Sequence, residues 1–379
     1  VYGEDVPAAA LSQAELHGPA TELPGPDSEG VSPDDVALIQ YTSGTTSFPK
    51  GVMLSHAQIL RNAWEVSRRM GIAPGDRYFS ARPLFHVSGS VLSMLVSMMS
   101  GACYLTTPWF DVGAALATME EERCTHTSGN DTMFLMMMNH PDFPKRKLVL
   151  RGGLAAARYA VMEQIRDRVN LPGICCGYGL SEASPNVAFS PHDDVAEKRI
   201  AGYALPLPGV EVRIVDGEIQ VRGWGVMKGY YKMPQQTADV IDAEGWLETG
   251  DLGSLDEEGR LLFVDRLKDV IRVGGENVAP AEVEEVLHGH PAVKQAQVVG
   301  VPDPRLIEVV AAYIQLRDGA SLAPEEAIAW CRERCANFKV PRHVRIVASF
   351  DDIGMTASSK IQRNKLREFA LRDLGLEKP

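Results

Sequence analysis

Between Tyr41 and Gly51 the chain reads YTSGTTSFPKG, a loop crowded with hydroxyls that ends in an ammonium. Thr42, Ser43, Thr45 and Thr46 supply side-chain donors, backbone N–H groups around Gly44 lie open, and Lys50 adds positive charge. Such a set suits the oxygens of a polyphosphate. It is not the GxxxxGK[ST] loop, because the Gly44 to Lys50 spacing differs and Lys50 precedes Gly51 rather than Ser or Thr. Hydroxyls alone would equally make a polar turn, and the flanking residues predict this loop between a strand and a helix. The Pro49-Lys50-Gly51 ending tips the balance toward phosphate. Elsewhere, Cys331 and Cys335 are one helical turn apart and His288 and His290 are near neighbours, yet no CxxC or HExxH spacing joins them into a metal site.

The chain has ample material to position such a loop. Its 379 residues are 45% hydrophobic and 23% charged, the composition of an ordinary folded protein with two or three domains. Lys plus Arg total 38 against 50 Asp plus Glu, a net charge of −12, so nucleic acid and anionic membrane are excluded as partners on charge and an anionic ligand needs a local site. Six cysteines, two adjacent at Cys175 and Cys176, do not form a disulfide framework, and a reducing, cytoplasmic compartment is expected. From Pro83 to Phe110 there is no Asp, Glu, Lys or Arg. Five serines within that run predict a buried helix followed by a strand rather than a transmembrane segment.

Residues 1–35 read as a linker or remnant, rich in Pro, Gly and acidic side chains. From 36 to 205, short apolar runs alternate with amphipathic stretches, the rhythm of a layered α/β domain. Residues 206–267 shift to short β segments with Gly turns, a smaller β-rich subdomain. Residues 268–379 mix helices such as APAEVEEVL with strands such as EVVAAYIQL, an α+β C-terminal domain.

The loop, with the motifs that follow it, strongly resembles the adenylate-forming superfamily of acyl-CoA synthetases, peptide-synthetase adenylation domains and beetle luciferases. PLFHVSG at 83–89 looks like the segment whose His, here His86, borders the acyl pocket. YGLSEAS at 178–184 resembles a Tyr-Gly-x-Thr-Glu motif, which implies Tyr178 against adenine, Ser181 near the α-phosphate and Glu182 on Mg²⁺; a carboxylate beside a hydroxyl suits a hard cation bridging phosphates. GWLETGD at 245–251 implies Asp251 at both ribose hydroxyls, since one carboxylate accepts two hydrogen bonds. The stretch 259–284 implies Arg266 at the ribose, Lys268 as the hinge before a mobile domain, and Gly274 and Gly275 beside a pantetheine tunnel. The resemblance also places Gly153, Gly177 and Gly179 in the ligand-binding backbone. MTASSKIQRNKLR at 355–367 resembles the signature whose Lys, here Lys360, contacts the substrate carboxylate and the phosphate; an ammonium closing over both would offset their repulsion.

Departures accompany the match. Ser47 and Ser359 stand where the family usually has Gly, and Gly354 where Pro is common. The loop starts at residue 41, whereas the family carries a long subdomain before it, so the chain is expected to be a fragment, a clipped piece or one of a pair with the missing N-terminal segment. The resemblance implies a ligase: an apolar carboxylic acid, aromatic or medium-chain, reacts with ATP and Mg²⁺ to give acyl-AMP and pyrophosphate, and coenzyme A then displaces AMP. Met133 and Phe134 are the expected apolar pocket wall. The alternatives are a degenerate, non-catalytic nucleotide-binding relative or an enzyme using another acceptor.

Overall fold

The computed structural model describes residues 30–42, 49–350, 353 and 361–376. It is an α/β structure with a layered large domain, a small β-rich subdomain and an α+β C-terminal domain.

Strand β1 (Val36–Thr42) pairs antiparallel with β2 (Lys50–Ser55), Thr42 opposite Lys50. The hydroxyl-rich loop therefore joins two antiparallel strands, not a strand and a helix. The helix begins only at His56, where Ser55 and Gln58 form a reciprocal capping box. A parallel sheet of order β4-β3-β5-β6-β7 follows, built from β3 (Arg77–Phe79), β4 (Cys103–Leu105), β5 (His126–Asn130), β6 (Gly152–Ala156) and β7 (Gly173–Cys175). Its helical connections include 87–100, which carries the uncharged run and packs Val91, Leu92 and Val96 into the core. Among the described residues no helix is long and apolar enough to cross a membrane. Ligands of parallel sheets collect outside the carboxyl ends of the strands. His86 follows β3 there, and β8 (Gly177–Gly179), carrying Tyr178, follows β7 after one residue.

Strand β8 pairs with β9 (Asn186–Phe189), and β9 with β10 (Leu205–Pro206). An antiparallel sheet of order β11-β12-β14-β15 comes next, from β11 (Val210–Val215), β12 (Glu218–Gly223), β14 (Leu247–Leu255) and β15 (Leu261–Arg266). Between β12 and β14, the short β13 (Gly229–Tyr230) leaves that sheet to pair with β2. This places Tyr230 beside the loop 180 residues earlier in sequence, a contact no local pattern announces.

The C-terminal sheet contains β16 (Ile271–Val273), β17 (Glu276–Val278), β18 (Val293–Asp303), β19 (Ile307–Leu316) and the parallel edge strand β20 (His343–Val347). Alternation sorts β19 onto two cores. Val310, Ala312 and Ile314 face the helices Pro280–His288 and Pro324–Arg332, while Val309, Ala311 and Tyr313 face the helix Arg363–Asp373. Arg363 starts the helix packed on the face opposite Pro280–His288, and its side chain reaches Asp265, Asp269 and Glu284.

Candidate functional site

Tyr178 is buried beside β14, and its phenol donates to Asp251 Oδ2 at 2.9 Å. One ring face stacks on Phe263, centroids 5.6 Å apart at 17°. Asp251 is 6% exposed, and its Cα partner across the ladder is Arg266, whose Nε lies 3.7 Å from Oδ1. Burial pushes the Asp251 carboxyl up, and the charge of Glu182 adds to that; the Tyr178 hydrogen bond and the charges of Arg266 and Lys268 pull the other way. Glu182, Asp251, Arg266 and Lys268 therefore share one electrostatic environment.

Glu182 sits in the 3₁₀ turn Ser181–Ala183, where its Oε1 accepts a hydrogen bond from the Tyr230 hydroxyl at 3.0 Å and its carbonyl accepts Met227 N at 2.9 Å. On the ring of that same tyrosine rests Lys50 Nζ, 4.5 Å from the centroid. Thr42 Oγ1 donates to the Lys50 carbonyl at 3.5 Å, closing the mouth of the loop. Ser43, Gly44, Thr45, Thr46 and Ser47 lie outside the described residues, as do Ser359 and Lys360. The loop's two ends nevertheless converge on Glu182 through Tyr230.

His86 caps the following helical turn: its Nδ1 accepts Ser88 N at 3.1 Å and lies 2.8 Å from Ser88 Oγ. Gln40 holds this segment against β1, its amide donating to the carbonyls of Phe85 and Tyr41, each at 3.1 Å. Phe134, expected in the pocket wall, is instead fully buried in the main core under Gly129. Met133 alone of that pair keeps surface.

The glycines have backbone reasons. A Cβ on Gly153 would lie 2.0 Å from the Thr127 carbonyl, and one on Gly179 would lie 1.9 Å from that of Pro185. A Cβ on Gly177 would lie 2.9 Å from the Phe189 ring. Gly274 and Gly275, both at positive φ, form the two-residue turn joining β16 to β17. Beside Gly274 opens a cavity of about 250 Å³ bordered by Arg305, Leu306, Asn337, Phe338 and Arg342.

Near Lys268, the expected hinge, lies an ion cluster that the sequence motifs do not name. Arg363 Nη1 donates to Asp265 Oδ1 at 2.7 Å, its Nη2 reaches both oxygens of Glu284 at 3.1 Å, and Asp269 is 3.6 Å away. Asp265 precedes Lys268 and Arg363 follows it, so the cluster ties together segments on both sides of that residue.

For magnesium, the residues present fit. Glu182 and Lys50 meet on one tyrosine, Tyr230, and magnesium is ordinarily held by one or two carboxylates together with substrate phosphates, a role the Glu182 carboxylate would fit.

The pattern of AMP-binding enzymes matches residues 2–231, and that of the AMP-binding enzyme C-terminal domain matches residues 282–360. This chain belongs to the AMP-binding enzyme family. It is 42% identical over 359 residues to a Bacillus subtilis (strain 168) protein named as an acyl-CoA synthetase, YngI, covering 90% of this chain and 65% of that protein. It is 41% identical over 344 residues to the 3-[(3aS,4S,7aS)-7a-methyl-1,5-dioxo-octahydro-1H-inden-4-yl]propanoyl:CoA ligase of Rhodococcus jostii (strain RHA1), covering 89% and 66%. The structure of the amide bond synthetase McbA from Marinactinospora thermotolerans superposes with a TM-score of 0.79 at 33% identity, covering 89% of this chain and 70% of that one. The AMP-binding chain thus spans about two thirds of the length of the proteins it matches.

Proposed function

We propose that this chain carries the adenylating and thioester-forming site of an acyl-CoA synthetase: a carboxylate attacks the α-phosphorus of ATP, pyrophosphate leaves, and the thiol of coenzyme A then displaces AMP from the acyl carbon. The observation that carries the reading is the convergence of Lys50, of Tyr178 and Glu182, and of Asp251, from three separate segments, on one cluster. Lys50 and the loop hydroxyls hold the polyphosphate, the Tyr178 side chain lies against the adenine, and Asp251 with Arg266 takes the ribose. Tyr178 occupies one site on Oδ2, and the carboxylate's remaining lone pairs accept from the diol. Bound magnesium, on Glu182, would neutralise phosphate charge. Lys360 supplies the ammonium for the oxygens brought together at the reacting phosphorus. The small domain then turns about Lys268, removing Lys360 and bringing the Gly274 turn to the acyl-AMP.

The cavity beside that turn supports coenzyme A as the acceptor. Two guanidinium groups, Arg305 and Arg342, and the Phe338 ring suit an anionic nucleotide with a planar base. An apolar acid is the proposed substrate, in keeping with the carbocyclic propanoate in the name of the Rhodococcus relative. The likeness to an amide bond synthetase favours one second reading, an amine in place of the thiol.

ATP–pyrophosphate exchange against a panel of carboxylates tests the first half, and addition of CoA or an amine to the responding acid tests the second. Exchange with an apolar acid and thioester formation are expected. ATP binding without exchange for any acid would identify a non-catalytic relative instead.

A further inference from the structure

Tyr230 lies outside every motif that points to the nucleotide, yet it touches two groups that do. Its ring is 7% exposed, with Lys50 Nζ 4.5 Å from the centroid, while its hydroxyl donates to Glu182 Oε1 at 3.0 Å. The residue is held from all sides. Strand β13 pairs Tyr230 with Val52 of β2, its backbone N–H donates to Thr237 Oγ1 at 2.9 Å, and its carbonyl accepts Met233 N at 3.0 Å. Tyr231 N donates to the Gly51 carbonyl at 2.7 Å, which fixes the ring relative to the residue after Lys50. Met227 N, at 2.9 Å from the Glu182 carbonyl, fixes the same segment relative to the carboxylate.

An ammonium and a carboxylate this close would gain by pairing directly, and pairing would spend both charges on each other. No Lys50–Glu182 ion pair forms among the described residues; the tyrosine stands between them. The ring face offers Lys50 a weak cation–π contact that a phosphate readily outcompetes. The hydroxyl orients Glu182 through one oxygen, and burial together with the neighbouring carboxylate pushes the phenol pKa up, keeping it a donor.

From this geometry we infer that Tyr230 is a positioning residue, a spacer that keeps Lys50 and Glu182 from neutralising each other so that both remain available to a magnesium nucleotide. The inference rests on the reading of this cleft as the ATP site.

Calorimetric titration with ATP in the presence of a chelator tests it without turnover. Tyr230→Leu, which removes the spacer, is expected to weaken metal-free ATP binding about tenfold, whereas Tyr230→Phe, which keeps the ring, stays within about twofold of wild type. Adding Glu182→Gln to Tyr230→Leu is expected to recover most of the loss, because Lys50 then has no carboxylate to pair with. The same change in the wild-type background should give a gain several-fold smaller. Equal effects of Glu182→Gln in both backgrounds, or a loss in Tyr230→Phe as large as in Tyr230→Leu, would overturn the spacer role. Should Tyr230→Leu fail to melt cooperatively, Tyr230→Met takes its place in the cycle under the same criteria. A folded wild type that binds no ATP would overturn the site reading itself, an outcome distinct from an additive cycle in a wild type that binds.

Discussion

Tyr178 and Asp251 are joined by a 2.9 Å hydrogen bond across 73 residues of sequence, and the aspartate sits at 6% exposure with its carboxyl pKa raised chiefly by burial. A carboxyl whose folded pKa lies above its ordinary 3.8 binds its proton more tightly when folded. Below 3.8 it is protonated in both states and costs nothing; as pH rises past 3.8 toward the folded pKa, stability is lost, and above the folded pKa the full cost persists. Asp251→Asn keeps an acceptor for Tyr178 and removes the charge. It is therefore expected to raise Tm at pH 7, with the gain shrinking as pH falls toward 3.8, while ATP binding weakens. A variant destabilised at pH 7 would mean the ionised carboxylate is held more favourably than its burial implies.

Arg363 is surrounded by Asp265, Asp269 and Glu284, of which Asp265 and Glu284 are 4% and 5% exposed. Replacing the guanidinium with an isosteric apolar chain leaves buried carboxylates facing one another. Arg363→Met is expected to cost about 3–5 kcal/mol in denaturant unfolding. Arg166→Ala, which breaks the exposed pair with Asp167, should leave the midpoint unmoved.

These two relationships differ in how visible they were. Tyr178, Glu182, Asp251, Arg266 and Lys268 stand in ordered motifs, and the fold brings them together because β8 leaves the parallel sheet toward the β14–β15 ladder. The strands of the C-terminal domain were legible from their apolar runs, as in the continuous VVAAYI of β19, which lies buried between two cores. The antiparallel β1–β2 pairing was not, because GVMLS is too short to show a period and merges into the helix after it. The Ser55–Gln58 capping box was the available signal that the helix starts later. Tyr230 and Arg363 were missed for another reason. Their roles arise from partners 48 and 98 residues away, and a tyrosine in a Gly-Tyr-Tyr run or an arginine in a basic tail has no periodicity or spacing that names such a partner.

His86 offers two functions to separate, since its Nδ1 caps the helical turn through Ser88 while the residue stands at the carboxyl end of β3 near the loop. His86→Ala should lose about 1 kcal/mol of stability with the cap. His86→Asn restores a side-chain acceptor and should restore stability, yet acyl-AMP formation should stay depressed in both. Recovery of activity along with stability would reduce His86 to a cap.

The two halves of the proposed reaction draw on different segments of the chain, and this makes a reciprocal pair of variants decisive. Lys360 stands three residues before Arg363 in the sequence, whereas the Arg305–Arg342–Phe338 cavity opens beside the Gly274 turn. Only one of them can serve the acyl phosphate at a time if the domain turns as a body about Lys268. Lys360→Ala is then expected to abolish ATP–pyrophosphate exchange while sparing thioester formation from supplied acyl-AMP. Arg342→Glu, which places a negative charge where an anionic nucleotide would dock, should raise the KM for CoA on the order of tenfold and leave exchange at its wild-type rate. Loss of both half-reactions in either variant would show that the two groups do not act in separate steps.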